Sequence, residues 1–238
     1  MNKQINWLCV SLIVCAAVIV LAQLGSEAVT IMTENTPIQR NTSIIIDAGH
    51  RGEDGGAISI SGIPESTYNL DIALRLEKLL LLMGVDTRMV RTTDTAIYSK
   101  GHTLAEKKRS DLKERVALVE NTKNGILVSI HQNIFPDSQY HGAQVFYSES
   151  SGSKALAEAL QDAIAHNLDN ENRRTVKKAN GIYLMEHIHK PGVLIECGFL
   201  SNPIEESKLR DSDYQKKLCS VIAVTVKEQA NRILNPNT

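Results

Sequence analysis

The sequence predicts an α/β domain with a mostly parallel central sheet covered by helices on both faces, preceded by an N-terminal hydrophobic helix. Three observations carry that reading. Short aliphatic runs, at Ile44–Ile46, Ile126–Ile130 and Gly192–Ile195, alternate with stretches of helical periodicity. Such alternation implies parallel pairing, because a parallel strand is reached by a crossover that lays a helix on the sheet. The runs are also apolar at nearly every position, the pattern of strands buried on both faces. With 238 residues, 42% of them apolar and 22% charged, the chain can fill a domain core and lies outside the disordered class. A net charge of −1 leaves no broad basic surface, which argues against a nucleic-acid partner.

Taken in order, the first element is the uncharged apolar run Trp7–Leu24. Residues 1–28 read as a membrane anchor or a signal peptide. The run is about as long as a bilayer span requires (roughly 17–25 residues), and Ser26 and Ala28 are small residues suited to cleavage. Either reading places the rest of the chain outside the cytoplasm, membrane-anchored or secreted. Residues 29–42 are polar, include Pro37, and read as a linker. The domain proper is expected over 43–238. Its first strand, Ile44-Ile45-Ile46, runs into Asp47-Ala48-Gly49-His50 and a glycine-rich loop, Arg51 to Pro64. Leu70, Leu74, Leu76, Leu79 and Leu80 predict a helix that stops at Gly84. Val85–Arg91 is a second strand and Asp94–Glu106 a loop. A helix over Asp111–Thr122 is expected to start on Ser110 or Asp111 as its cap. Ile126–His131 and Ala143–Tyr147 are strands, 153–168 a helix, and Gly192–Glu196 a core strand. Helix resumes from Glu205 to Leu234 with a break near Asp211.

The chemistry gathers at strand ends, where parallel sheets place their sites. His50 and His131 each end an apolar strand. Neutral imidazoles suit zinc, and a catalytic centre needs a third ligand and one open position. Glu65 closes the loop that His50 opens; it is either that third ligand or a carboxylate favoured at a helix start. Glu196 ends the strand GVLIE, where a carboxylate is costly unless it is paired or functional. It reads as the general base. His102 and His166 read as solvated, His141 lies near the cleft, and His187 and His189 precede Pro191 where substrate could touch them. Cys197 and Cys219 read as free buried thiols rather than a disulfide, and no CxxC pair, GxSxG or GxxxxGK[ST] occurs.

These residues fall into three ordered blocks: Ile46-Asp47-Ala48-Gly49-His50-Arg51-Gly52-Glu53-Asp54-Gly55-Gly56-Ala57, then Leu112–Val116 with Val128-Ser129-Ile130-His131-Gln132-Asn133, then Leu194-Ile195-Glu196-Cys197-Gly198-Phe199-Leu200-Ser201-Asn202. In this the chain resembles the zinc-dependent N-acetylmuramoyl-L-alanine amidases of the type 3 class, over about residues 43 to 230. The resemblance implies a peptidoglycan substrate cut between muramic acid and the first L-alanine of the stem peptide. It further implies one zinc ion held by His50, Glu65 and His131, with Glu196 as the catalytic glutamate. Ile134 departs from the family, which usually has Ala there. The stretch from Tyr147 to Gly181 is too short for the self-inhibitory helix of division-associated relatives. The overall layout is similar to the germination-specific branch of endospore formers, which implies a role in muramic-δ-lactam formation in the spore cortex, around the forespore. Without an inhibitory insertion, control by an activating partner protein is expected. Two other readings stand beside the amidase: a zinc peptidase cutting within the stem peptide, and an inactive wall-binding scaffold.

Overall fold

A computed structural model describes residues 42–234. The expected N-terminal hydrophobic helix, the anchor-or-signal segment 1–28 and nearly all of the linker 29–42 lie outside the described residues. Six strands, β1 (Ser43–Ala48), β2 (Asp86–Met89), β3 (Gly125–Asn133), β4 (Gln144–Tyr147), β5 (Lys177–Lys178) and β6 (Gly192–Phe199), form one sheet in the order β2-β1-β3-β6-β4-β5. Pairing is parallel from β2 through β6, as the strand–helix alternation requires. At the other edge β4 runs antiparallel to β6, and β5 is parallel to β4. The sheet is therefore mostly parallel but mixed. The cause is local: no helix lies between β3 and β4, so that connection supplies no crossover.

Six helices cover the sheet: α1 (Glu65–Leu82), α2 (Leu104–Asn121), α3 (Ser153–Leu168), α4 (Tyr183–His187), α5 (Pro203–Arg210) and α6 (Ser212–Leu234). On one face Ile44, Ile46, Val128, Ile130, Val193 and Ile195 pack with Ile72 and Leu76 of α1, Leu156 and Leu160 of α3, and Ile222 and Val226 of α6. On the other, Ile45, Leu127 and Leu194 pack with Val119 of α2 and with Leu184 and Met185 of α4. Burial of the strands on both faces explains why they are apolar throughout.

Three local outcomes differ from the sequence reading. Helix α2 begins at Leu104, not Asp111. Thr103 caps it, and the Glu106 side chain returns to the Thr103 backbone to complete a capping box. The first turns of α2 are solvent-facing and polar, so no apolar spacing announces them. Asp111 is consequently a buried residue in mid-helix rather than a cap. Elements β5 and α4 are too short for any periodicity to reveal. The break at Asp211 is where expected: its Oδ1 accepts from the Tyr214 N–H at 2.7 Å and starts α6. Cys197 and Cys219 are both free and buried.

Candidate metal centre

The register of β3 and β6 sets His131 directly beside Glu196 near the carboxyl ends of the parallel strands. Across the sheet, β1 ends at Ala48 and the chain turns at His50, which adopts the left-handed backbone conformation with φ 56°. A residue with a side chain holds that conformation only where its surroundings enforce it. Two buried guanidiniums do so. Arg91 donates from Nε to the Ala48 carbonyl (2.8 Å) and from Nη2 to the carbonyls of Gly49 (3.1 Å) and Ser66 (3.0 Å). Arg115 donates to the carbonyls of Ala48 (3.1 Å) and His50 (3.3 Å), and it is itself paired with Asp47 and Asp111. Burial alone would raise the Asp47 carboxyl, but the Arg115 charge and the Ser129 hydroxyl hold it below its usual value.

Glu65 is the first residue of α1, and its carboxylate is saturated with donors. Oε1 accepts from Asn69 Nδ2 and the Gln132 N–H, both at 3.1 Å, and lies 3.0 Å from His131 Nδ1. Oε2 accepts from the Ala57 N–H at 3.1 Å and lies 3.3 Å from His50 Nε2. Against the cost of burial, these partners and the two imidazoles bring the Glu65 carboxyl down to about 2. His50 Nδ1 faces Asp54 at 3.4 Å, and Asp54 is held in turn by Lys108 at 3.0 Å. Such an outer carboxylate orients a ligating imidazole. One ligand atom from each of His50, Glu65 and His131 can be chosen so that all lie within 4.8 Å of one another. Two imidazoles and a carboxylate, mutually within reach of one ion, are a donor set that zinc accepts with a position left open.

Glu196 differs from Glu65 in having no partners. Its Oε2 is buried without a hydrogen bond. Burial pushes the carboxyl up to about 7, with His131 pulling it back and Glu65 adding to the rise. A cleft of about 330 Å³ opens over this end of the sheet between α2 and α4; Lys108, Leu112, Ile182, Tyr183 and Leu194 form part of its walls beside His50 and His131. The structure thus brings His50, Glu65, His131 and Glu196 to one place. It leaves the other histidines outside the cluster: His187 stacks on Tyr183 at 3.8 Å between ring centroids, His189 faces Glu120, and His141 faces Asp169. Sequence reasoning missed Arg91, Asn69 and Asp54 as supports. Only the polar character of Asn69 on an apolar helix face signals any of them.

Gly49 has a packing reason. A Cβ built there would lie 2.2 Å from the His131 ring. Gly49→Ala is expected to displace the imidazole and to weaken binding of added zinc at the candidate site by roughly tenfold or more, read by competition with a chromophoric chelator. Unchanged affinity would mean that the ring is not held by this contact.

Fold and donor set define an α/β domain with a candidate metal centre at the carboxyl ends of its parallel strands. The chain belongs to the N-acetylmuramoyl-L-alanine amidase family, whose sequence model matches residues 44–228, and it is an enzyme of that class. It is 38% identical over 181 residues to the germination-specific N-acetylmuramoyl-L-alanine amidase of Bacillus subtilis, covering 75% of this chain and 76% of that protein. Among solved structures it is similar to the CwlD amidase of Clostridioides difficile, determined in complex with the GerS lipoprotein (TM-score 0.76, 37% identity, 79% of this chain and 98% of that one). It is also similar to the catalytic domain of CwlV from Bacillus (Paenibacillus) polymyxa (TM-score 0.68, 32% identity, 79% and 97%). The family expected from the three sequence blocks is the family found.

Proposed function

We propose that this chain is a zinc-dependent amidase that hydrolyses the bond between muramic acid and L-alanine in peptidoglycan, with His50, Glu65 and His131 holding one zinc ion and Glu196 as general base. The observation that carries the reading is the single Glu65 carboxylate facing both imidazoles, with the unpartnered Glu196 beside His131. Zinc bound there supplies Lewis acidity, which makes the amide carbonyl more electrophilic and the attacking water more acidic. Glu196 takes the proton from that water and delivers it to the leaving alanine nitrogen. Burial raises the Glu196 carboxyl in the metal-free site, which makes its carboxylate a stronger proton acceptor. The Arg91 and Arg115 hydrogen bonds keep the His50 turn in place while this happens.

The segment 1–28 serves as anchor or signal, 29–42 as linker and 43–238 as the catalytic domain, so the enzyme works outside the cytoplasm. The germination-specific relative supports a role in germination, and the reading extends it to spore-cortex maturation leading to muramic-δ-lactam. The complex of the similar CwlD amidase with a lipoprotein supports a partner protein that activates this chain as well.

End-group analysis of digested peptidoglycan tests the activity. An amidase releases stem peptides with a free L-alanine amino terminus and leaves the glycan intact. New amines at an internal stem residue would make the protein a peptidase, and no new amines would make it a scaffold.

The metal-free geometry also sets a pH dependence. Burial disfavours the charged form of His131, but the hydrogen bond and charge of Glu65 outweigh it and raise the pKa above 6.5. Below that raised pKa the protonated imidazole pairs with Glu65, and zinc must displace the proton. Apparent zinc affinity is therefore expected to be flat at alkaline pH and to fall about tenfold per pH unit below the His131 pKa. A chelator titration from pH 5 to 9 reads this directly; affinity independent of pH would contradict the assigned ligand.

A further inference from the structure

Gln144 lies directly opposite Glu196 across the β4–β6 pair. Opposed residues of an antiparallel pair present their side chains on the same face. The catalytic row therefore continues from His131 through Glu196 to Gln144. Gln144 is buried, donates from Nε2 to the Thr175 carbonyl at 2.8 Å, and accepts at Oε1 from Arg174 Nη1 at 3.2 Å. Arg174 also donates from Nε to the His141 carbonyl at 2.8 Å, and its guanidinium carbon sits 4.6 Å from the centroid of the Phe199 ring. These contacts orient the guanidinium, yet all are to neutral groups. Among the described residues no carboxylate pairs with Arg174 within 4.0 Å. Other cations near the site are engaged: Lys108 by Asp54, and Arg91 and Arg115 by backbone carbonyls and, for Arg115, by Asp47. Arg174 borders a cavity of about 570 Å³ that Tyr140, His141, Glu171, Asn172 and Arg173 also line, Arg173 donating from Nη1 to the Asn170 carbonyl.

An oriented, half-buried and unpaired guanidinium is a carboxylate receptor in waiting. Resting on the amidase reading above, we infer that Arg174 receives the free α-carboxylate of the second stem-peptide residue and sets specificity for it. That residue is a glutamate joined to its successor through the γ-carboxyl, so its α-carboxylate is unused. It lies within about two residue lengths, ~7 Å, of the scissile nitrogen. The span from Glu196 across one strand spacing of ~4.8 Å to Gln144 and its hydrogen-bonded guanidinium is of the same order. The diamino acid at stem position three carries a carboxylate of the same chemistry, and the test separates the two sources.

The zinc-loaded wild type, Arg174→Gln and Arg174→Lys are assayed on three synthetic muropeptides: one with both carboxylates free, one amidated at residue two, and one amidated at residue three. Wild type is expected to lose about ten- to a hundredfold in kcat/KM on amidation of residue two, carried by KM, and little on amidation of residue three. Arg174→Gln is expected to process the free substrate at the amidated rate and to discriminate no longer, with zinc content unchanged. Arg174→Lys, which keeps charge without the planar fork, should retain part of the discrimination and serves if the Gln variant folds poorly. Equal losses on all three substrates would overturn the inference, as would discrimination that follows residue three. A wild type that cleaves none of them would instead sink the amidase reading itself.

Discussion

Glu196→Gln is expected to lower kcat by roughly a hundred- to ten-thousandfold, the usual range for removing a general acid–base, the role proposed for it, while added zinc binds as in the parent. The substitution is nearly isosteric and deletes only the ability to accept a proton, so the cleft shape and the row from His131 are preserved. In addition, the carboxyl makes no hydrogen bond through Oε2 and is buried beside the Glu65 charge. A neutral amide at that position removes a desolvation cost rather than a stabilising contact. The melting temperature is therefore expected to hold or to rise. Stopped assays on purified peptidoglycan give the rate, and metal analysis after gel filtration gives the zinc. Activity within tenfold of wild type, or loss of the metal, would remove Glu196 from the assigned role.

His131→Ala is expected to give the opposite signature, an emptied site. It removes one of the three proposed ligands, so zinc affinity should fall by more than the roughly 10–100-fold typical of losing an outer-shell partner. It also strips the buried Glu65 carboxylate of a partner 3.0 Å away, one of those that bring its pKa to about 2. The metal-free variant should consequently be less stable than the metal-free parent, by up to about 3–5 kcal/mol if Glu65 stays charged without its partner. Chemical denaturation of both apo proteins measures this, and equilibrium dialysis measures the metal. A variant that retains zinc at wild-type affinity would exclude His131 as a ligand.

The strands that frame the site were legible because burial on both faces writes a continuous apolar run: Ile44–Ile46, Ile126–Ile130 and Val193–Ile195 are all buried. His50, His131 and Glu196 were legible for a related reason, since a polar residue at the end of such a run is conspicuous. Glu65 was ambiguous from spacing. Its surroundings are set by partners distant in sequence, Gln132 and His131, as well as by the nearby Asn69. Arg91 and Arg115 were not legible as supports, because a guanidinium that grips backbone carbonyls has no local pattern. The same holds for the start of α2, where a capping box on a polar, exposed turn outweighed the apolar spacing that begins at Leu112. Likewise, the reversal of β4 comes from a missing crossover, which no residue in β4 itself encodes.

Anomalous X-ray scattering at the zinc edge, from crystals of the zinc-loaded protein, tests the central claim most directly. The expected result is one peak, ligated by His50, Glu65 and His131 and with Glu196 outside the ligand sphere. A peak that includes Glu196 among its ligands, or one at His187 and His189 instead, would contradict it.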